Sequence, residues 1–564
     1  MKGIRLAVLA IACGLASPQQ VLASEAPISR GMEDPGIYAE LVAMLEKEVG
    51  TRLTSYLKQR GILRQVTVGI VIEPRKRRMV VDFGPGYLPG KEQSYGELFL
   101  IPLAADLRRY AEKSGLELLD VEFFFQGRPM KEHFPDDHPQ PALVKRQAVH
   151  SKALVSSSHG YVALHPGGQW EFQRPAPLGL QEDVLSPLYG DELESLLEQR
   201  SGLTVSRARS RSTDPHPESA HPWEEMSARY HLKALLPDRK DIWNEMPNSP
   251  DRDREVSEDI RARPNYANHL GVDVMFSLHT NGSVNTGVRG TEVYHHRDKP
   301  EDKALGDSIL CGMKEVIRAQ PGYEEFPVRT GSVADGHGEN RIGKMPSVIV
   351  ETAYHSNPDD VAALQDPVFR SAAMKGVEKG YRLWASEKAC VPLAGKAISD
   401  VEVHSGKRVE VDIPLVGNPQ YPIQIITTNT QCPPNWTCGK GKQVINSPDE
   451  PTRIGVSCGV GSSGTLGWET HVLDADGVAS KPVPFSVRCV PGREEDRARG
   501  RPFSAVEHGS TQQRPVQAST GFVLCVQVAL GVQCGHAAEA DRDDGLAVVL
   551  VDHVASSEHD FHFG

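Results

Sequence analysis

Three stretches far apart in the chain share one pattern: an apolar run that ends abruptly in a residue able to bind a metal or move a proton. Leu154 to Tyr161 (LVSSSHGY) and Val272 to Asn281 (VDVMFSLHTN) run into His159 and His279, and Pro346 to Pro358 (PSVIVETAYHSNP) delivers Glu351 before a Ser-Asn-Pro turn. Such runs predict buried strands, and the open ends of parallel strands are where α/β folds place their chemistry.

Around these strands the periodicity divides the chain. From Ile37 to Gly127 it predicts helix, strand, strand, helix and strand, a small α+β module over residues 30–130 with no catalytic constellation. His133 to Pro141, rich in Pro, His and Asp, reads as a linker. Over residues 150–390 strands and helices alternate as in an α/β layered domain, with helices at Asp191 to Arg200 and Pro300 to Ala319. Ser210 to Ser257 interrupts the alternation as an insertion of loops and short helices outside the sheet, and two readings stand for it: a solvated connection, or a lid or regulatory flap over the site. Residues 396–490 carry short runs such as YPIQIITTN and PVPFSVRCV between turn residues, which predicts a β-sandwich accessory domain. Residues 491–564 read as a poorly ordered tail, and His553, His559 and His562 as part of it and not a metal site.

The length of 564 residues exceeds one core, and a net charge of −12 without a basic stripe argues against nucleic acid as a partner. Lys2 and Arg5 precede an apolar run from Leu6 to Ala16, and Val21-Leu22-Ala23 ends as signal peptidase prefers, so residues 1–23 read as an export signal. A lipid anchor at Cys13 is the minor alternative. No other apolar segment reaches the ~20 residues of a membrane span, which predicts a protein exported to the periplasm or beyond. In that setting Cys432, Cys438, Cys458 and Cys489 read first as disulfides of undetermined pairing, with zinc binding the weaker option.

A catalytic zinc takes three protein ligands and leaves a position for water. His159 and His279 supply two. Glu182, opening a predicted helix soon after the first histidine, is the best third, and Asp183 is its nearest competitor. Glu351 is then the carboxylate placed to take a proton from water and pass it to a leaving nitrogen.

Over roughly Lys152 to Trp384 the chain resembles the zinc-dependent N-acetylmuramoyl-L-alanine amidases of the type 3 family. The resemblance rests on SSSHGY with the later WEFQRP, on GLQED, on RARPNYANHLGVDVMFSLHTNGS followed by RGTEVYHH, and on PSVIVETAYHSNPDD. It implies His159, Glu182 and His279 as Zn2+ ligands, Glu351 as general base and acid, and hydrolysis of the amide joining N-acetylmuramic acid to the L-alanine of the peptidoglycan stem. The family commonly carries Gly before and shortly after the first histidine, where Ser158 and Tyr161 stand here. Residues 210–257 lengthen the span between the second and third ligands, and no room exists after His279 for the inhibitory helix of some relatives. Two alternatives remain: an inactive or gated peptidoglycan-binding protein, and a zinc carboxypeptidase, whose HxxE motif fails at Val162. The β-sandwich is a candidate for docking to wall or protein.

Overall fold

The computed structural model describes residues 35–90, 96–141, 150–165 and 167–491, and the backbone of two strands, Val523–Val528 and Gly531–His536. The predicted export signal, Cys13 and the three terminal histidines lie outside the described residues.

The N-terminal region comprises α1 (Pro35–Gln59), β1 (Val68–Glu73), β2 (Arg78–Phe83), α2 (Glu97–Lys113) and β3 (Asp120–Phe125). The central region comprises β4 (Lys152–Ser157), α3 (Glu182–Ser201), β5 (Thr204–Arg207), α4 (Ala228–Leu235), α5 (Arg254–Leu270), β6 (Val274–Asn281), β7 (Glu292–His296), α6 (Pro300–Arg318), β8 (Val333–Asp335), α7 (Gly338–Ile342), β9 (Ser347–Tyr354), α8 (Pro358–Gln365) and α9 (Pro367–Ala385).

The three apolar runs of the sequence become neighbours. Strands β9, β6 and β4 lie side by side and parallel, with His279 in register with Glu351 and Leu278 with Ser157. Both faces of these strands are covered, which is why they are apolar without alternation. On one face Val155, Phe276, Leu278 and Val350 meet Leu193, Ile309, Met313 and Val377 from α3, α6 and α9. On the other, Leu154 and Met275 meet Ala262 and Tyr266 of α5. Helices α6 and α9 touch through glycines: a Cβ on Gly376 would stand 2.4 Å from the Met313 Cα. The Ser-Asn-Pro turn after β9 is a helix start. Asn357 caps α8 by accepting from the Asp359 and Asp360 amides, and Pro358 occupies the first turn, where no amide is needed.

The main path of the large sheet runs β1-β2-β3-β8-β7-β9-β6-β4-β5. The N-terminal strands therefore continue the central sheet. The Ala334 amide donates to the Leu119 carbonyl at 2.7 Å, and Ala334 pairs with Asp120. Without this pairing the edge of β3 would leave backbone groups open. The region keeps its own apolar core, built from Leu45, Leu53, Met79, Phe83, Leu107 and Phe125.

Two sequence expectations need correction. The segment read as a linker is pinned, because Asp137, 5% exposed, accepts from Arg261 of α5 and from Arg341 of α7. The segment 210–257 is neither a solvated connection nor a lid: Leu232, Ile242 and Trp243 pack with Ala262 and Tyr266 in one core cluster, on the outer face of the sheet. Its charge and prolines mask an apolar set too short for the periodicity to reveal.

After residue 394 five strands, Val401–His404, Val483–Val490, Gly464–Leu473, Ile423–Gln431 and Lys440–Ile445, form a sheet in that order, and Arg408–Asp412 pairs with Arg453–Ser457. Cys432 bonds Cys438 and Cys458 bonds Cys489, so these four hold no zinc. Cys311 of α6 bonds Cys390. The residues read as a poorly ordered tail lie largely outside the described residues; the two described strands there, Val523–Val528 and Gly531–His536, pair as an antiparallel hairpin.

Candidate metal and catalytic site

His279 is the sixth residue of β6, where the strand reaches the open end of the sheet. His159 follows β4 by two residues in a left-handed conformation, φ 53°, succeeded by Gly160 at φ 120°. This tight reversal turns the imidazole toward β6. A Cβ at Gly160 would stand 2.6 Å from the Ser227 amide nitrogen, so glycine is required there.

The loop is held from below by the segment 210–257. Arg209, 1% exposed, donates to the carbonyls of Ser158 (2.7 Å), Met226 (3.1 Å) and Glu224 (2.6 Å), and the Ser227 amide donates to the Tyr161 carbonyl. Burial pulls the Arg209 guanidinium down to about 10, and it stays charged at neutral pH. The departures at Ser158 and Tyr161 are thus accommodated by a buttress built from this chain's own long insertion.

Glu182 opens α3 and is 1% exposed. Its Oε1 lies 3.7 Å from His159 Nε2 and 3.6 Å from His279 Nδ1, and ligand atoms of the three residues all fall within 4.8 Å of one another. Ligands ~2.1 Å from a tetrahedral ion stand about 3.4 Å apart, so the spacing suits one small cation. Burial drives both imidazoles well below their usual range, which keeps them neutral, the form that binds metal. Asp183 does different work. Its carboxylate accepts from the Gly160 amide at 2.6 Å, fixing the histidine loop, and burial followed by the Glu182 charge raises it to about 6.

Glu351 sits beside His279 in the sheet, 8% exposed, with Oε2 lacking a hydrogen-bond partner. Burial, then Glu182, then Glu292 push its carboxyl well above the usual carboxylate range. An orphaned buried carboxyl facing a cleft suits proton transfer. Glu292, its register partner on β7, behaves oppositely. Burial works to raise it, but Arg329 and Arg108 outweigh that and hold it at about 2.

Four participants lie beyond the residues that spacing singled out. Glu339 of α7 accepts from His279 Nε2 at 3.0 Å and is bonded in turn to Arg263, which also pairs with Asp259. That chain leaves the Nδ1 lone pair turned toward Glu182. His355 Nδ1 bonds the Thr280 hydroxyl at 2.9 Å and lies 3.8 Å from Glu182. Arg174 lines the cleft, and its charge adds to the burial that lowers His159, His279 and His355. Helix α2 also lines it. Arg174 and His355 stand inside the quoted motifs and carried a signal; Glu339 and α2 carried none, since only folding brings them near.

The model of a family described as N-acetylmuramoyl-L-alanine amidase matches residues 231–382, a stretch holding His279 and Glu351 and starting downstream of His159 and Glu182. The N-acetylmuramoyl-L-alanine amidase LytC of Bacillus subtilis (strain 168) is 25% identical over 129 residues, 23% of this chain and 25% of that protein. The chain thus spans about a quarter of the length of this curated relative. Among solved structures, the catalytic domain of CwlV, an amidase from Bacillus (Paenibacillus) polymyxa var. colistinus, is 18% identical, covering 41% of this chain and 95% of that one with a TM-score of 0.27. The CwlD amidase from Clostridioides difficile, solved with the GerS lipoprotein, is 17% identical, covering 42% and 100% with a TM-score of 0.30.

Proposed function

We propose, for a chain whose residues 231–382 carry the N-acetylmuramoyl-L-alanine amidase family pattern, that it hydrolyses the amide between N-acetylmuramic acid and the L-alanine of the stem peptide. The observation carrying this reading is the meeting of His159, Glu182 and His279 within 4.8 Å, with Glu351 in register beside His279. The donor set, two neutral imidazoles and one carboxylate with one face open to a cleft, fits zinc. When bound, zinc supplies a Lewis acid that polarises the scissile carbonyl and acidifies water.

The chain's own residues do the rest. Glu351 takes the proton of the attacking water at its unpartnered Oε2 and returns it to the departing alanine nitrogen, a task suited to a carboxyl that burial holds above the usual carboxylate range. Glu339 and Asp183 hold the His279 ring and the His159 loop, so the donors are aligned before substrate arrives. The substrate lies outside the cytoplasmic membrane, where the leader read at residues 1–23 would deliver the enzyme, and no described helix is long and apolar enough to cross a membrane. The β-sandwich over residues 396–490 is proposed as an accessory docking module.

The test is incubation of the mature, zinc-loaded protein with peptidoglycan, beside a chelated sample and a Glu351→Gln variant, with mass spectrometry of released fragments. Free stem peptides beginning at L-alanine, lost in both controls, are expected. Release of only the terminal residue would point to a carboxypeptidase, and no release with retained wall binding to an inactive binder.

A further inference from the structure

One wall of the cleft belongs neither to the strand ends nor to the insertion. Leu98, Ile101, Pro102, Ala105, Asp106 and Arg109 line the same cavity of about 590 Å³ as His159, Glu182, His279 and Glu351. Their spacing is that of a single helix face, so α2 of the N-terminal region looks across at the metal-binding group. No residue of 210–257 lines that cavity.

This wall is fixed. Arg108, 2% exposed, pairs with Asp335 of β8 at 3.1 Å, and its guanidinium lies 5.5 Å from the Tyr294 ring centre. Arg109 donates to the Tyr354 hydroxyl at 3.3 Å, and that hydroxyl also receives from Asn281 at 3.2 Å, which ties α2 to the ends of β9 and β6. Arg297 with Asp120 (3.0 Å) and Arg60 with Asp253 (2.9 Å) hold the region elsewhere, and the shared sheet holds it throughout. Breaking buried pairs of this kind is costly, so α2 is a permanent boundary and not a flap.

We infer that α2 is a substrate-recognising wall that receives the peptide portion of the substrate, so the N-terminal region sets which stems fit. The inference rests on the amidase reading above. The chemistry of the lining favours the peptide over the glycan. The α2 face offers an aliphatic strip, Leu98, Ile101, Pro102 and Ala105, with no aromatic platform and few donors for sugar hydroxyls. Arg174, lining the same cavity, donates to the Gln173 carbonyl at 3.3 Å and makes no ion pair among the described residues, leaving a cation for a stem carboxylate. An acidic peptide with small aliphatic side chains matches both.

The experiment measures binding of a soluble disaccharide muropeptide to the full zinc-loaded chain carrying Glu351→Gln, with and without Ala105→Trp, by calorimetry. Turnover by the corresponding chains with Glu351 intact is read alongside. Bulk at position 105 is expected to weaken the muropeptide at least tenfold and to raise KM with kcat nearly kept, at unchanged zinc content and Tm. A peptide-free disaccharide should bind both chains alike. Pro102→Trp, at an exposed position of the same face, gives the same reading should Ala105→Trp fail to fold. Muropeptide affinity within twofold of the parent overturns the proposal, as does absence of any binding to the Glu351→Gln chain. Tighter binding or faster turnover in the variants also overturns it and makes α2 an inhibitory cover. Failure of the intact chain to release stem peptides would sink the amidase reading separately, because the binding arm needs no catalysis.

Discussion

The two regions flanking the α/β core join it by opposite means. The N-terminal region keeps a separate apolar core and merges through backbone hydrogen bonds and buried ion pairs, placing α2 over the cleft. The C-terminal sheet does the reverse. Its buried Val403, Ile423, Ile425 and Val472 belong to one continuous cluster with Val377 and Tyr381 of α9, and among the described residues none after 394 lines the cleft. Apolar continuity is indifferent to pH, whereas charged attachment depends on it. The difference teaches that two segments which look alike as satellite modules can sit unlike, one lining the cleft and one away from it.

The largest expected effect tests whether both flanks are only supports. Glu351→Gln should lower kcat by about a thousandfold, within the range for a lost general acid and base, with bound zinc unchanged by elemental analysis. A modest loss would move the proton-transfer role to another group lining the cleft, such as His355. Next, Asp137→Ala removes the buried carboxylate shared by Arg261 and Arg341, of which Arg261 keeps Glu245, and should cost about 3 kcal/mol in urea unfolding. Burial works to raise Asp137, but Arg341 and Arg261 outweigh it and hold the carboxyl below its usual range.

A pH series sharpens the same contrast. Glu292, held at about 2, contributes stability that is fully present above its unfolded value near 4.5 and is lost as pH falls through about 2. A shift of that size is worth about 3 kcal/mol. Glu292→Gln should therefore flatten the acid limb of the unfolding curve between those two values. The smallest effect is at the other flank. Asp476→Asn keeps the shape of a buried side chain but weakens its two bonds from Arg200, which retains Glu378, and should cost about 1.5–2 kcal/mol by thermal unfolding. A cost above that of Asp137→Ala would reverse the comparison.

Much of this was legible before folding. The three apolar runs specify parallel strands because only burial on both faces tolerates such sequence, and their abrupt ends mark His159, His279 and Glu351. Asn357 and Pro358 read only as a turn, and the structure makes that turn the start of a helix. Asp183 shows where reading stops. Spacing left it a competitor of Glu182, and only the 2.6 Å bond from the Gly160 amide assigns it to the histidine loop. The loops and short helices of the segment 210–257 were legible, but their packing was not, because the apolar residues sit on short elements with little periodicity.

The sequence by itself determined what local patterns encode: strand and helix positions, the chemical identity of the strand-end residues, and a family resemblance carried by contiguous motifs. Tertiary structure alone decided which distant residues share the cleft. Glu339 reaches His279 across 60 residues of chain, and Arg109 reaches Tyr354 across 245. Such contacts follow from the continuation of the sheet through β3 and β8 and from the charge pairs that fix α2. Periodicity reports which face of an element is buried and does not report what buries it.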